Sequence, residues 1–489
     1  MSPVTPMAST IQPGDAWSLL PEMVLCGGGV LILLLDAMTA SLRRLWTPFA
    51  VVVTAAAAWA AWWSFPSTTA YTFGGLLESS NVTLAFSLVV LLAAGLSLLA
   101  SQGYLRREGL LAGEYHALML WCAAGLLLML RATELLTVFL ALETLSFALY
   151  CLAAFHRRVS LSVEAAIKYF LMGAFVSSFA LYGIALVYGA TGSTRFAEIA
   201  QALVSGRGTT AASLGLLLLV AAFGFKMSLV PFHAWSPDTY QGAPSPFVAF
   251  LSVAPKVASA LVLYRLLEAV VHTGTTASAA KWSGIVATLS VLSMVGGNLL
   301  ALVQRDIKRM LAYSGIAHMG YLLLALVTLD RQSLSPLLVY LLAYVLMNAG
   351  AFAVVSMLYS RPGEQHLISD LSGWGYRYPL LGACLTVCML SLGGIPPTIG
   401  FLGKYVVFLK AVSDGWVGLA VVGVLASLVG VFYYLRVVYT LYMKAEVRQP
   451  EGLLIDVWGR AAAVLAAVGT LVLGIWPSAL LQWLTALAK

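Results

Sequence analysis

Four ionisable side chains stand deep in apolar runs: Glu143 in TVFLALETLSFALY, Lys226 in AAFGFKMSLVPFHAWSPDTY, Lys256 in FLSVAPKVASALV and Lys404 in IPPTIGFLGKYVVF. On insertion scales each costs about 2.5–3.5 kcal/mol at the centre of a membrane-spanning helix. They must therefore face one another or face water inside the protein. The chemistry that suits a carboxylate and three ammonium groups in such a setting is proton transfer. With Glu143 beside it Lys226 keeps its proton; with the pair pulled apart it releases the proton to a neighbour. Lys256 is the candidate neighbour, relaying towards Lys404. The competing explanation is snorkelling, in which a long stem lifts the charge to the interface. It is weak for Glu143, whose stem is short, and for Lys256, about ten residues or ~15 Å from either end of its run. It stays open for Lys404, beside a helix break, and more so for Lys168, nearer the start of its run.

Two histidines join this set. His233 lies seven residues beyond Lys226, on about the same helix face, where it passes protons between the cytoplasm and Lys226 or caps a broken helix. His318, in GIAHMGY, either bridges two halves of the chain or is a core histidine with satisfied hydrogen bonds. Glu134 and Glu164 fall at helix starts, where carboxylates suit the dipole, and are read as structural. The prolines add to the pattern. Pro231, Pro255 and the pair Pro396–Pro397 free the carbonyls of Met227, Leu251, Leu392 and Gly393. Freed carbonyls inside a membrane need protein or water partners and suit short water chains.

These residues have to be positioned by helices in a membrane. Of 489 residues, 61% are hydrophobic and only 10% charged, against about 25% charged in soluble domains. Apolar runs of roughly 18–28 residues recur, and ~20 helical residues cross a bilayer core. Barrel strands, of ~10 alternating residues, are excluded. The chain is expected to be all-α and polytopic, with about fourteen spans. They lie near 18–39, 44–64, 82–101, 112–131, 133–155, 163–189, 211–235, 246–271, 282–303, 309–329, 335–359, 379–411, 415–442 and 459–487. GGIPP at 393–397 interrupts the twelfth. The first seventeen residues lack Lys and Arg, so no cleaved signal peptide is expected. The net charge of +7 is explained by basic loops on one membrane side, not by a nucleic-acid partner. SLRR (41–44), YLRRE (104–108), HRR (156–158), QRDIKR (304–309) and MKAEVR (443–448) all fall on that side. The positive-inside rule makes it cytoplasmic and puts both termini outside. The five cysteines form no CxxC, and the histidines do not form the spaced pairs of a membrane haem protein, so no metal, cluster or other redox cofactor is expected in this chain.

Spans 4–8 and 9–13 are blocks of five helices with opposite orientation, each with a lysine and a proline break in its fourth helix. Inverted repeats with broken helices 7 and 12 are a transporter signature. The expected organisation is an N-terminal three-helix unit (1–110), a first five-helix repeat (111–272), a second, inverted repeat (280–445) and a C-terminal helix (455–489).

FKMSLVPFHAWSPDTYQGAPSPFVAFLSVAPKVA (225–258) resembles subunit N of respiratory complex I, the proton-pumping NADH:quinone oxidoreductase. LLTVFLALETLS (135–146), DIKRMLAYSGIAHMGYLL (306–323) and GGIPPTIGFLGKY (393–405) are similar to the same family in order, and the resemblance covers essentially all the spans. Related subunits L and M and multi-subunit cation/proton antiporters share PFHAWSPD and IPPTIGFLGK but usually lack YQGAPSP joined to SVAPKVA. The absence of a long lateral helix after the last span argues against subunit L, and Lys404 in place of a glutamate argues against subunit M. The resemblance implies that Glu143 is the pairing glutamate of helix 5, Lys226 the central lysine of helix 7, Lys256 the bridging lysine of helix 8 and Lys404 the terminal lysine of helix 12; Lys168 matches a lysine of helix 6. It further implies a bacterial inner-membrane location, electron transfer confined to other subunits, and subunits M and K and the lateral helix of L as neighbours, with lipid, protons and internal water as the remaining partners. A multi-subunit cation/proton antiporter subunit, a related membrane-bound hydrogenase subunit, or a structural subunit with relic charges are the competing functions.

Overall fold

The computed structural model describes residues 14–65, 68–206, 209–271, 276–327, 331–358, 366–445, 456–478 and 481–482. In chain order the elements are α1 (Asp15–Ser18), α2 (Leu20–Met38), α3 (Trp46–Ser64), β1 (Ala70–Thr72), β2 (Leu77–Ser79), α4 (Asn81–Arg107), α5 (Gly113–Arg131), α6 (Leu135–Ala153), α7 (Ser160–Thr191), α8 (Phe196–Val204), α9 (Thr209–Met227), α10 (Trp235–Gly242), α11 (Ser245–Leu251), α12 (Ala254–Val271), α13 (Thr276–Leu302), α14 (Ile307–Leu324), α15 (Leu334–Ser356), α16 (Trp374–Arg377), α17 (Pro379–Gly393), α18 (Ile399–Ser413), α19 (Val417–Met443) and α20 (Val457–Ile475).

Among the described residues, twelve segments are long and apolar enough to cross a membrane. With α14, whose first turn carries Lys308 and Arg309, and the interrupted pair α17–α18, they complete the fourteen expected crossings. Local chemistry sets the ends. Ser80 and Thr83 form a capping box at the start of α4. The Asp306 carboxylate accepts the Arg309 amide at the start of α14, and Asp456 does the same work at α20. Gly192, at φ 80°, closes α7.

The breaks fall where the prolines require them. α9 stops at Met227 and the helix resumes as α10; α11 and α12 meet at Ser252–Val253; α17 and α18 flank residues 394–398. Two span ends need correction. The last span, expected over 459–487, is interrupted after Ile475, where Trp476 and Pro477 follow; proline disfavours helix in the residue before it, and 479–480 and 483–487 lie outside the described residues. The tenth ends at Leu324 instead of running to 329. The loop after α3 contains the antiparallel hairpin β1–β2.

The packing repeats. α5 lies along α6, as α13 lies along α14; α7 packs on both halves of its broken neighbour, α9 and α10, as α15 packs on α17 and α18. The α13–α14 contact is backbone to backbone. A Cβ on Gly297 would stand 2.6 Å from the Ala317 nitrogen, and one on Gly320 would stand 2.6 Å from the Met294 nitrogen. Small residues of this kind let membrane helices approach closely.

The two ends of the bundle differ in character. Arg43, Glu108, Arg157 and Arg158 surround one cleft, so the basic loops SLRR, YLRRE and HRR gather at a common end. At the other end fully buried Arg131 donates to Glu22 (2.8 Å), the Ser18 carbonyl (2.7 Å) and Ser79 Oγ (2.9 Å). Beside it Arg265 caps the Leu130 and Ala132 carbonyls, both at 2.9 Å, and reaches Glu78 at 3.1 Å. This network ties α2 and the hairpin to the first repeat.

Candidate functional site

α6 presents Glu143, Ser146 and Tyr150 on one face, three and four residues apart. Lys226 is the penultimate residue of α9, so its stem leaves the helix where the backbone ladder ends. There the Leu229 amide reaches back to the Gly224 carbonyl (2.8 Å), Trp235 Nε1 caps the Phe225 carbonyl (2.9 Å), and the Val230 amide donates to Ser293 Oγ (3.0 Å). The Lys226 ammonium is buried, donates to Ser146 Oγ at 2.7 Å and lies 5.8 Å from the Tyr150 ring centroid. Glu143 does not pair with it directly. Its carboxylate accepts from Ser177 Oγ on α7 at 2.6 Å and is half-buried at the rim of the bundle. Ser146, one turn along α6, stands in the place expected for the carboxylate.

Lys256, 1% exposed, opens α12 just past the α11–α12 break. Its ammonium has one fixed hydrogen bond, a long one of 3.4 Å to the Tyr344 hydroxyl, and lies 5.3 Å and 5.9 Å from the ring centroids of Tyr344 and Tyr240. At the break itself, Asn348 Nδ2 donates to Ser252 Oγ at 2.7 Å. Ser228 Oγ, Ser245 Oγ and Asn348 Oδ1 are buried near these two breaks with no protein partner. Buried polar atoms of this kind are normally satisfied by ordered water.

Lys404 is the most fully satisfied of the three. Its ammonium donates to the Leu392 carbonyl (3.0 Å), the Gly393 carbonyl (3.1 Å) and Ser427 Oγ (2.8 Å), and lies 5.2 Å from the Tyr321 ring. The two carbonyls that Pro396 and Pro397 strip of their amide partners are thus capped by the lysine of the following half-helix. This settles the snorkelling alternative against Lys404, whose head is held inside the bundle.

Between Lys256 and Lys404 lies a web of hydroxyls that hydropathy and charge do not reveal. His318 is buried with Nδ1 2.7 Å from the Tyr340 hydroxyl and Nε2 3.1 Å from that of Tyr434. Tyr434 also bonds Ser314. Asn298 donates to the Tyr321 hydroxyl at 2.7 Å and accepts from that of Tyr433 at 3.0 Å. The available signal was Tyr340 and Tyr344, four residues apart in an apolar span; a buried tyrosine hydroxyl needs a partner. His318 is thereby both a satisfied core histidine and a group placed between the two lysines.

Lys168 and His233 stand apart from this line. Lys168, with its side chain 45% exposed, pairs with Glu164 (2.8 Å) and Asp238 (2.9 Å), and Asp238 also takes Arg309 at 2.5 Å. It clamps α7 to α10 and α14. His233 does not share a helix face with Lys226, because α9 ends between them. Its carbonyl accepts the Ser236 amide at 3.0 Å, which favours the capping role, while its Nδ1 is buried without a partner. Among the described residues no group of three His, Cys, Asp or Glu side chains could hold a metal ion.

The family profile described as NADH:quinone oxidoreductase/Mrp antiporter, transmembrane, matches residues 132–430, from the end of α5 into α19. The NADH-quinone oxidoreductase subunit N of Trichlorobacter lovleyi is 40% identical over 95% of both chains. That of Myxococcus xanthus is 38% identical over 96% of both. The chain belongs to the NADH-quinone oxidoreductase subunit N family. Among solved structures, this subunit N family member is similar to a chain of respiratory complex I from Thermus thermophilus, with TM-score 0.81 and 35% identity over 95% of this chain and 99% of that one. A chain of the Mrp complex from Dietzia sp. shares the fold, with TM-score 0.83 at 21% identity, over 98% of this chain and 97% of that one. The subunit N family is therefore carried on an architecture it shares with antiporter subunits.

Proposed function

We propose that this chain is the proton-translocating subunit N of an NADH:quinone oxidoreductase, and that protons move along Glu143, Lys226, Lys256, His318 and Lys404. The observation that carries this reading is the placement of three buried ammonium groups, each against a hydroxyl, on the broken helices of both repeats. Lys226 is held by Ser146, within electrostatic reach of Glu143. A change in the charge near Glu143 alters how firmly Lys226 holds its proton. A proton leaving Lys226 passes by way of water to Lys256. From there Tyr344, His318, Tyr340 and Tyr434 lead into the second repeat, to Lys404. His318 suits this step because both ring nitrogens have hydroxyl partners; a neutral imidazole accepts at one nitrogen and donates at the other. Each proton moved against 100 mV requires about 2.3 kcal/mol, which the oxidation of NADH and reduction of quinone in other subunits supply. This chain holds no redox group in the scheme.

The three-helix unit 1–110, the repeats 111–272 and 280–445 and the helix 455–489 form the working parts. The exposed apolar side chains Leu140, Phe147, Phe170 and Phe175 on α6 and α7 offer a face for a neighbouring membrane subunit beside Glu143. Subunits M and K are the expected neighbours, with the lateral helix of subunit L. On this reading the chain sits in a bacterial inner membrane with its basic loops in the cytoplasm and both termini outside, as the positive-inside rule supports. The test is Lys226→Met in the assembled complex in vesicles. NADH oxidation with an artificial acceptor should persist while protons translocated per electron fall. Normal proton yield contradicts the proposal, as does purification of the chain in an assembly without flavin or iron–sulfur subunits.

A further inference from the structure

Lys256 differs from the other two buried lysines in how little fixes its ammonium. Lys404 has three acceptors and Lys226 a 2.7 Å bond, whereas Lys256 has one bond of 3.4 Å and two aromatic rings. What bounds it on the side of the second repeat is a bare stretch of α14. A Cβ on Gly315 would lie 2.7 Å from the Tyr344 hydroxyl and 2.9 Å from Lys256 Nζ. Gly315 is helical with no positive φ, so backbone conformation does not require glycine there. Nor does helix packing: unlike Gly297 and Gly320, which meet backbone atoms of the neighbouring helix, Gly315 meets only the polar ends of two side chains from α12 and α15. One turn further along α14 is His318, whose ring centroid lies 5.3 Å from that of Tyr344.

We propose that Gly315 is a positioning residue of the proton route: its missing side chain is the space in which the Lys256 ammonium meets the Tyr344 hydroxyl. Transfer from the first repeat to the second then depends on position 315 staying empty. A methyl group there pushes the two groups apart by lateral displacement of flexible ends, not by forcing helices apart. The inference rests on the reading that Lys256 carries protons, and it adds the residue that sets the geometry of that step.

The experiment uses the assembled oxidoreductase in sealed vesicles, with NADH oxidation by an artificial acceptor and NADH-driven proton uptake read in parallel. Gly315→Ala should assemble and keep acceptor activity. Proton uptake should fall by about a hundredfold, the scale on which a displacement of about 1 Å cuts an oriented transfer. Gly284→Ala, where a Cβ meets nothing within 4 Å, should change neither readout. Gly320→Ala, which meets backbone, should lose assembly and so mark what a packing defect looks like. The double variant Gly315→Ala/Tyr344→Phe guards against a fold effect. Removing the hydroxyl takes away the nearer contact and leaves space into which the Lys256 ammonium, 2.9 Å from the Cβ, can move, so the double variant should assemble and pump no worse than Tyr344→Phe alone. Lys256→Met separates the two levels. If it abolishes uptake while Gly315→Ala pumps normally, the role of Gly315 is overturned and the function of Lys256 stands. If Lys256→Met pumps normally, both fall. Additive losses in the double variant, or loss of assembly in Gly315→Ala that Tyr344→Phe does not relieve, also overturn the inference.

Discussion

Replacing Lys404 with methionine should loosen the break between α17 and α18 even though it removes a buried charge. The ammonium donates to the Leu392 and Gly393 carbonyls at 3.0 and 3.1 Å, and those are the groups whose amide partners Pro396 and Pro397 remove. Each buried acceptor left unsatisfied costs about 1–3 kcal/mol, so the pair amounts to about 2–6 kcal/mol of local stability. Global stability is the wrong readout, because relieving the desolvation of a buried ammonium works in the opposite direction. The direct assay is amide hydrogen exchange at the break. The Gly394 amide bonds the Ser391 carbonyl (2.9 Å), Ile395 bonds the Leu390 carbonyl (3.0 Å) and Gly400 bonds Ser391 Oγ (3.1 Å). In Lys404→Met these amides should exchange faster by a factor of roughly 30 to 20,000, the range that 2–6 kcal/mol implies. Amides of α3, which packs on α2, α4 and α5 and not on the break, should be unchanged. Lys404→Arg, which keeps donors at the site, should show a smaller effect. Unaltered exchange at Gly394, Ile395 and Gly400 in Lys404→Met would refute the view that the lysine completes the break.

Three other outcomes follow from the geometry. Ser146→Ala removes the hydrogen-bond acceptor of the Lys226 ammonium, withdrawing about 1.5–3 kcal/mol from its charged form; proton uptake should fall, and Ser146→Thr should retain it. Lys168→Ala should leave proton uptake within about twofold and melting within about 1 kcal/mol, since its two ion pairs lie partly in solvent and away from the relay. Arg131→Met strands Glu22 and should destabilise the subunit by about 3–5 kcal/mol, seen as a lower melting temperature or a loss of assembled complex, and Arg131→Met/Glu22→Leu should recover most of it.

The spanning helices and their breaks could be read from the chain because both rest on local properties: run length, and a proline's missing amide. The buried charges could be read because their cost is large wherever the helix packs. What could not be read is who faces whom. Glu143 and Lys226 looked like a pair on charge alone, but Ser146 takes the lysine, since helix packing decides which turn of α6 faces α9. His233 was assigned to the face of Lys226 by a seven-residue spacing that holds only in a continuous helix, and Pro231 ends it. Lys168, near the start of its span, left snorkelling open on position alone; α7 turns that face outward, where Glu164 and Asp238 meet it. The tyrosines between Lys256 and Lys404 count as apolar aromatics in any hydropathy pattern. Their hydroxyls acquire meaning only when α14, α15 and α19 bring Tyr340, Tyr344 and Tyr434 around His318 and Lys256. The hairpin β1–β2 and the short helix α8 escaped because they sit in connections too short to show a period.

The most direct test of a proton route running through both repeats is the proton-to-electron ratio of the assembled oxidoreductase carrying Lys256→Met. NADH oxidation by an artificial acceptor serves as the measure of intact assembly. The route described here predicts fewer protons translocated per electron at undiminished acceptor activity. An unchanged ratio would contradict it, because no other buried ammonium stands against the Tyr344 hydroxyl among the described residues.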